Sequence, residues 1–226
     1  MPNYYKVGKV PSKRHVVYRQ PDGRLYHEEL VGTQGFSSLS SLVYHLHPPT
    51  RVRQVAPEYD IQPRVAIKNN LRMMSFKGFD VPACDDYLES RKVLFMNQDL
   101  HIGLAAPKGW NDYYFKNADA DEMIFVHEGS GVVKTCYGEL EFGYGDYIVL
   151  PRGTIYQIHF NDEKNRLFIV ESFHPIRYPK RYMSKLGQLM EHSPYCERDI
   201  RGPQNLKTHD EAGDFTIKTK KKGLLY

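Results

Sequence analysis

The amino-acid sequence predicts an all-β-dominated fold with little helix, and three observations predict it. Apolar runs are of strand length, as in Met123-Ile124-Phe125-Val126 and Tyr147-Ile148-Val149-Leu150. Gly, Pro and Asp turns punctuate these runs at spacings of roughly 8–12 residues, the rhythm of a barrel or sandwich. Helical spacing is weak and confined to Met183, Leu186, Leu189 and Met190, within residues 180–192.

The elements follow in order. His15–Arg19 and Arg24–Glu28 flank Pro21-Asp22-Gly23. Pro presets φ and Gly tolerates φ > 0, so a hairpin is expected there. Phe36–His45 forms the next run, stopped by Pro48-Pro49. Residues 50–82 hold scattered apolar positions and prolines, which suggests an extended segment packed over a sheet. Arg91–Phe95 and Leu100–Leu104 are two more strands. Met123–Val126, Val132–Tyr137, Leu140–Phe142, Tyr147–Leu150, Tyr156–Phe160 and Arg166–Phe173 complete the set. Residues 193–226 are polar and read as a connector. The expected organisation is a β-rich N-terminal arm over residues 1–82, a barrel over 83–192 and a linker over 193–226.

Composition bounds the function. A chain of 226 residues with 41% hydrophobic content can bury a core without staples. Aromatic content leans to tyrosine, 17 Tyr against 1 Trp, which suits half-buried sheets and interfaces. The net charge of +4 is mild and gives no case for nucleic acid, which calls for a clustered basic face. The densest basic run, Lys218–Lys222, reads as a solvated tail. Cys84, Cys136 and Cys196 are odd in number and widely spaced, which argues against both a disulfide framework and a thiolate zinc site. No apolar run approaches the roughly 20 residues that cross a bilayer, and Met1–Pro11 lacks the apolar stretch of a signal peptide. A cytoplasmic location with no membrane or nucleic-acid partner is expected.

The segment from Gly109 to Asn161 carries the most specific pattern. Gly109 is followed after five residues by Phe115-Lys116-Asn117, then after four by Glu122 and after six more by Gly129. Fifteen residues later, Gly145 is followed after five by Pro151-Arg152-Gly153 and after two more by Tyr156, with Asn161 beyond. These glycines and this proline resemble the two signature motifs of the cupin superfamily, Asn161 standing one place late. The resemblance implies a double-stranded β-helix, or jelly-roll, barrel. In metal-binding cupins two His and a Glu of the first motif and a His of the second hold one ion. Those positions are Phe115, Asn117, Glu122 and Tyr156 here. A phenyl ring cannot bind a metal, and an amide oxygen and a neutral phenol are poor donors beside imidazole and carboxylate. No metal, cofactor-binding or catalytic residue is therefore expected in this chain. Glu122 reads as a carboxylate hydrogen-bonded at a strand start beside Asp119 and Asp121. If it points into an apolar barrel, desolvation should raise its pKa.

Other histidines have a ligand reading and an ordinary one. His45-Leu46-His47 puts two imidazoles on one strand face, but no carboxylate is nearby in sequence, and a satisfied or exposed pair is the expectation. His127 and His159 would need to face inward to join Glu122. Glu122 and His127 are five apart on one strand, so they should face opposite sides.

The N-terminal stretch is more particular. Tyr18-Arg19-Gln20-Pro21-Asp22-Gly23-Arg24-Leu25-Tyr26-His27-Glu28-Glu29-Leu30, Gly32-Thr33-Gln34-Gly35-Phe36 and Ser41–Thr50 resemble the homogentisate 1,2-dioxygenase family. Ser193–Pro203 looks like the linker that family places after its first barrel. The resemblance covers nearly all of this chain and little more than half of a typical member. It implies a two-barrel protein with Fe(II) in a C-terminal barrel, whose motifs are absent from this sequence. This chain would be the metal-free supporting half. Its expected partners are its own C-terminal cupin domain and further copies, since the family forms trimers and hexamers. Two other readings stand beside it. One is a stand-alone metal-independent cupin isomerase or epimerase using Tyr156, His127 and His159, which a barrel filled by Phe115 and Phe125 would sink. The other is a non-enzymatic binding or assembly module.

Overall fold

A computed structural model describes residues 11–13, 15–48, 51–66, 73–110, 112–185, 187–207 and 209–226. The chain divides into two compact units. One comprises residues through Ala56 with Pro179–Arg201 and Leu206–Gly213; the other comprises Pro57–Tyr178, Gly202–Asn205 and Asp214–Tyr226.

In the first unit, β1 (His27–Gln34) pairs antiparallel with β2 (Ser37–His45), Leu30 opposite Leu42. The Pro21-Asp22-Gly23 turn forms as expected, with Gly23 at φ +85 and its N–H donating to the Gln20 carbonyl at 2.9 Å. The hairpin around it, however, shrinks to a single bridge between Arg19 and Leu25. The backbone from His27 onward pairs with β2 instead, and Tyr18 packs its ring 4.9 Å from that of Tyr44. Of residues 180–192, Lys180–Tyr182 form one 3-10 turn, and Met183 bridges back to Leu189 around Gly187 at φ +81. The weak helical spacing does not become a helix because the chain turns back on itself there.

The second unit is two facing sheets. Its strands are β3 (Tyr59–Asp60), β4 (Lys92–Met96), β5 (Leu100–Ala105), β6 (Tyr114–Asn117), β7 (Asp121–Glu128), β8 (Gly131–Thr135), β9 (Gly138–Phe142), β10 (Tyr147–Leu150), β11 (Ile155–Phe160), β12 (Arg166–Ser172), β13 (Ile217–Lys221) and β14 (Leu224–Leu225). A five-stranded sheet runs β10-β7-β12-β5-β4, and a seven-stranded sheet runs β3-β14-β13-β6-β11-β8-β9. Period-2 alternation places Ile124, Val126, Val133, Ile148, Leu150, Ile158, Leu167 and Ile169 between the sheets. Phe125 lies on the opposite parity, half-buried on the outer face against Tyr147, so of Phe115 and Phe125 only Phe115 fills the barrel. The motif turns form with Gly145 and Gly153 at positive φ, and Gly153 donates its N–H to the Asn117 carbonyl at 2.8 Å, tying the second motif to the first.

Residues 193–226 are not only a connector. β13 lies parallel to β6, with Lys218 beside Phe115 and Lys220 beside Asn117, and β14 returns against it and pairs with β3. The turn between them is Lys222-Gly223, both at φ > 0, which suits a two-residue hairpin. The Asp119 carboxylate holds it by accepting from the backbone N–H groups of Lys222 and Gly223 at 2.7 and 3.1 Å. Leu225 joins the core and Lys220 is buried. Alternation within the lysine run, hidden by its charge, sends every second side chain inward.

A four-residue helix, α1 (Tyr87–Ser90), precedes β4 and sets the position of Arg91. Asp86 caps it by accepting from the N–H groups of Leu88 and Glu89, and its second oxygen accepts from the Tyr113 hydroxyl at 2.8 Å.

Candidate functional site

Phe115 and Asn117 on β6, Glu122 on β7 and Tyr156 on β11 all point between the sheets, none more than 3% exposed. The sequence brings these four together as expected. Their chemistry is settled by partners from elsewhere. Glu122 Oε1 accepts from Arg91 Nη1 at 2.7 Å, and its Oε2 accepts from the Tyr156 hydroxyl at 2.7 Å. Asp119 and Asp121, the expected neighbours, are engaged elsewhere: Asp121 accepts from the backbone N–H groups of Arg152 and Ile176. The other guanidinium nitrogen of Arg91, Nη2, donates to Glu171 Oε1 at 2.5 Å. Lys220 donates to Glu171 Oε2, and His101 Nδ1 stands 3.4 Å from the same oxygen, close enough for an ion pair but without hydrogen-bond geometry. Asn117 completes the network: Nδ2 donates to Glu171 Oε1 at 3.3 Å, while Oδ1 accepts from the N–H groups of Asp119 and Ala120. Two carboxylates thus face one guanidinium and one ammonium, so the buried charges balance.

The electrostatics follow from this packing. Burial alone would raise the Glu171 carboxyl, but Arg91, His101 and Lys220 outweigh it and hold it well below the usual carboxylate range. Burial, with the Glu122 charge beside it, pushes the Tyr156 hydroxyl well above the usual phenol range. Burial likewise raises Tyr87, whose hydroxyl finds no partner of normal hydrogen-bond geometry among the described residues.

The donor set does not fit a metal ion. Phe115 presents a ring, 5.5 Å from the Tyr156 ring and edge to face. The Asn117 oxygen caps a backbone turn, and both Glu122 oxygens are taken by hydrogen-bond donors. Withdrawing Oε1 would leave Arg91 Nη1 without its acceptor, and withdrawing Oε2 would leave the buried Tyr156 hydroxyl unpaired, at about 1–3 kcal/mol each.

The histidines weighed from sequence do not converge here. His127 is exposed on the outer face, its ring 4.9 Å from Phe79, as strand parity requires. His159 is also exposed and contacts Gln157 Oε1 at 3.0 Å. The inward His–Tyr pair that a metal-independent isomerase would use is not formed by Tyr156, His127 and His159. In the other unit, His45 pairs with Glu29 at 2.9 Å and His47 with Asp210. Each finds its own carboxylate and they do not form a joint site. Among the described residues, no three His, Cys, Asp or Glu side chains are grouped to hold a metal ion.

Sequence reasoning missed Arg91, His101, Glu171 and Lys220. Glu171 left one trace: it shares the inward parity of Leu167 and Ile169, where an apolar residue would be the default.

Two facing sheets, antiparallel except for the β6–β13 pair and closed by glycine and proline turns, with the four expected ligand positions inside, define a cupin-type barrel. The description "Homogentisate 1,2-dioxygenase N-terminal" belongs to the family whose profile matches residues 11–226, and the chain belongs to that family. It is 37% identical over 217 residues to a protein of Saccharolobus solfataricus named "Putative dioxygenase SSO1533", covering 95% of this chain and 55% of that protein. The chain therefore spans about half the length of that relative. Among solved structures, a cupin-2 domain containing protein from Shewanella frigidimarina is 23% identical with a TM-score of 0.32, covering 37% of this chain and 79% of that one. A protein of unknown function from Streptococcus pyogenes is 19% identical with a TM-score of 0.38, covering 51% and 100% respectively. The family assignment rests on the first two matches. Among the described residues, no helix is long and apolar enough to cross a membrane.

Proposed function

We propose that this chain is the metal-free, supporting half of an Fe(II)-dependent ring-cleaving dioxygenase of the homogentisate type. One observation carries the reading: every donor at the four ligand positions is committed to Arg91, Tyr156, Glu171 or the backbone. Opening an aromatic ring with O₂ calls for an iron with free coordination positions, held by imidazole and carboxylate. The barrel offers a closed ion-pair network in that place. A second cupin barrel would hold the iron, and this barrel would contribute stability and assembly contacts. The outer face of the five-stranded sheet supports the assembly role, since Phe95, Tyr147 and Val149 are 49%, 65% and 44% exposed there. Three cysteines, none of them in a disulfide, accord with a reducing cytoplasm.

The test is an oxygen-electrode assay with homogentisate and added Fe(II), run on the 226-residue chain and on the chain combined with a separately produced second cupin half of a relative. The reading expects no homogentisate-dependent uptake by the chain alone. Uptake by the chain alone would refute it.

A further inference from the structure

The mouth of the barrel holds a cavity of about 290 Å³. That lies at the small end of the range for ligand pockets, roughly 300–1,000 Å³. Leu88, Val93, Ile169 and Leu225 supply apolar wall, and Gly103 leaves one inward position on β5 bare. A Cβ at Gly103 would come within 2.8 Å of the Lys92 carbonyl oxygen, so the position takes no larger residue without moving β4.

The polar lining is unequal. Arg91, Lys92, Lys218 and Lys220 face Glu89 and Glu171. Even with Glu122 counted behind Arg91, one positive charge is left over. The network uses Arg91 and Lys220; Lys92 is exposed and donates to the Glu89 backbone carbonyl at 3.0 Å, and Lys218 stands outside both. Among the described residues Lys218 has no carboxylate partner; its ammonium stands 4.0 Å from the centroid of the Tyr113 ring. Lys218 and Lys220 are two apart on β13 and project to the same side, so Lys218 lines the same cavity as the balanced cluster.

We propose that this cavity binds a small organic carboxylate, its apolar body against Leu88, Val93, Ile169 and Leu225 and its carboxylate on Lys218. One surplus charge matches a monoanion. Inorganic phosphate would meet that charge but leave the apolar walls uncovered, and a neutral ligand would leave Lys218 without its counter-ion. The inference goes beyond the supporting role and does not depend on it, since a barrel without metal can hold a ligand.

The test is a fluorine NMR titration of the 226-residue chain with para-fluorobenzoate, with para-fluorobenzamide as the neutral control and inorganic phosphate as competitor. Saturable binding of the benzoate is expected, with the amide weaker and phosphate failing to displace it. Lys218→Met keeps the aliphatic stem and removes the charge; it should weaken binding about tenfold, the scale of one charge-assisted hydrogen bond. Val93→Trp, at a mouth position 41% exposed, should abolish binding while far-UV circular dichroism and the urea midpoint stay native. Equal binding of amide and benzoate, unchanged affinity in Lys218→Met, displacement by phosphate, or no saturable binding of the benzoate would each overturn the proposal.

Discussion

Tyr156 donates its hydroxyl to Glu122 at 2.7 Å, so two positions that hold metal in other cupins satisfy each other here. With Arg91 on the second oxygen, a cation at Glu122 would stand against a guanidinium. The barrel keeps the turns of a cupin-type fold and uses the expected ligand positions as internal cement.

Restoring an imidazole should not restore a site. Tyr156→His removes one donor to Glu122 but leaves Arg91, Phe115 and Asn117 in place. The variant should lose about 1–3 kcal/mol of stability, the cost of a buried group left unpaired. It should also show no visible absorption from bound Co(II). Urea unfolding and a Co(II) titration check both halves; a tetrahedral Co(II) spectrum would show that the network yields easily.

The Lys220–Glu171 pair ties β13 to β12, and its members are 49 residues apart in sequence. Lys220→Met alone should cost about 3–5 kcal/mol, because it removes one of the cations that balance a buried carboxylate. Glu171→Leu alone should cost as much, through Arg91 and Lys220. The double variant Glu171→Leu/Lys220→Met should lose less than the sum of the two, since neither partner is stranded by the other. A double-mutant cycle in urea measures this, and strict additivity would contradict the coupling.

Acid should weaken the barrel through Glu171. Its folded-state pKa lies below its unfolded one, so its stabilising contribution is complete above the ordinary carboxylate value of about 4.3 and is lost as pH falls from there through the depressed value. Unfolding midpoints measured from neutral pH downward should fall more steeply for the wild type than for Glu171→Leu/Lys220→Met. Parallel curves would show that Glu171 is not the titrating group.

Alkali acts on Tyr156 and Tyr87 with the opposite sign. Both hydroxyls are raised by burial, so the stability they contribute is present below the ordinary phenol value of about 10 and drains as pH rises above it. A spectrophotometric titration should show the exposed tyrosines ionising first. Tyr156 and Tyr87, with the equally buried Tyr113, should follow only together with loss of the near-UV circular dichroism signal. Ionisation of all tyrosines in one native-state step would contradict their burial.

Much of the barrel was legible in the sequence because its signals are local. Alternation placed β4, β5 and the strands from β7 to β12, and the Gly145 and Pro151-Arg152-Gly153 turns placed the ligand positions. Strand parity separated His127 from Glu122. The partners of Glu122 were not legible: Arg91 and Tyr156 stand 31 and 34 residues away, and sheet register rather than sequence distance joins them. β13 was misread for a related reason. Lys218–Lys222 has the composition of a solvated tail, and only the parallel pairing with β6 shows that Lys220 meets a buried carboxylate. The same strand parity puts Phe125, two residues before His127, on the outer face.

The central claim is that the ligand positions of this barrel are closed by ion pairs. Metal analysis of the 226-residue chain by plasma mass spectrometry, after equilibrium dialysis against Fe(II) under anaerobic conditions, tests it most directly. The account predicts iron far below one equivalent, in the wild type and in Tyr156→His alike. One equivalent of iron in the wild type, reduced by Glu122→Gln, would contradict it.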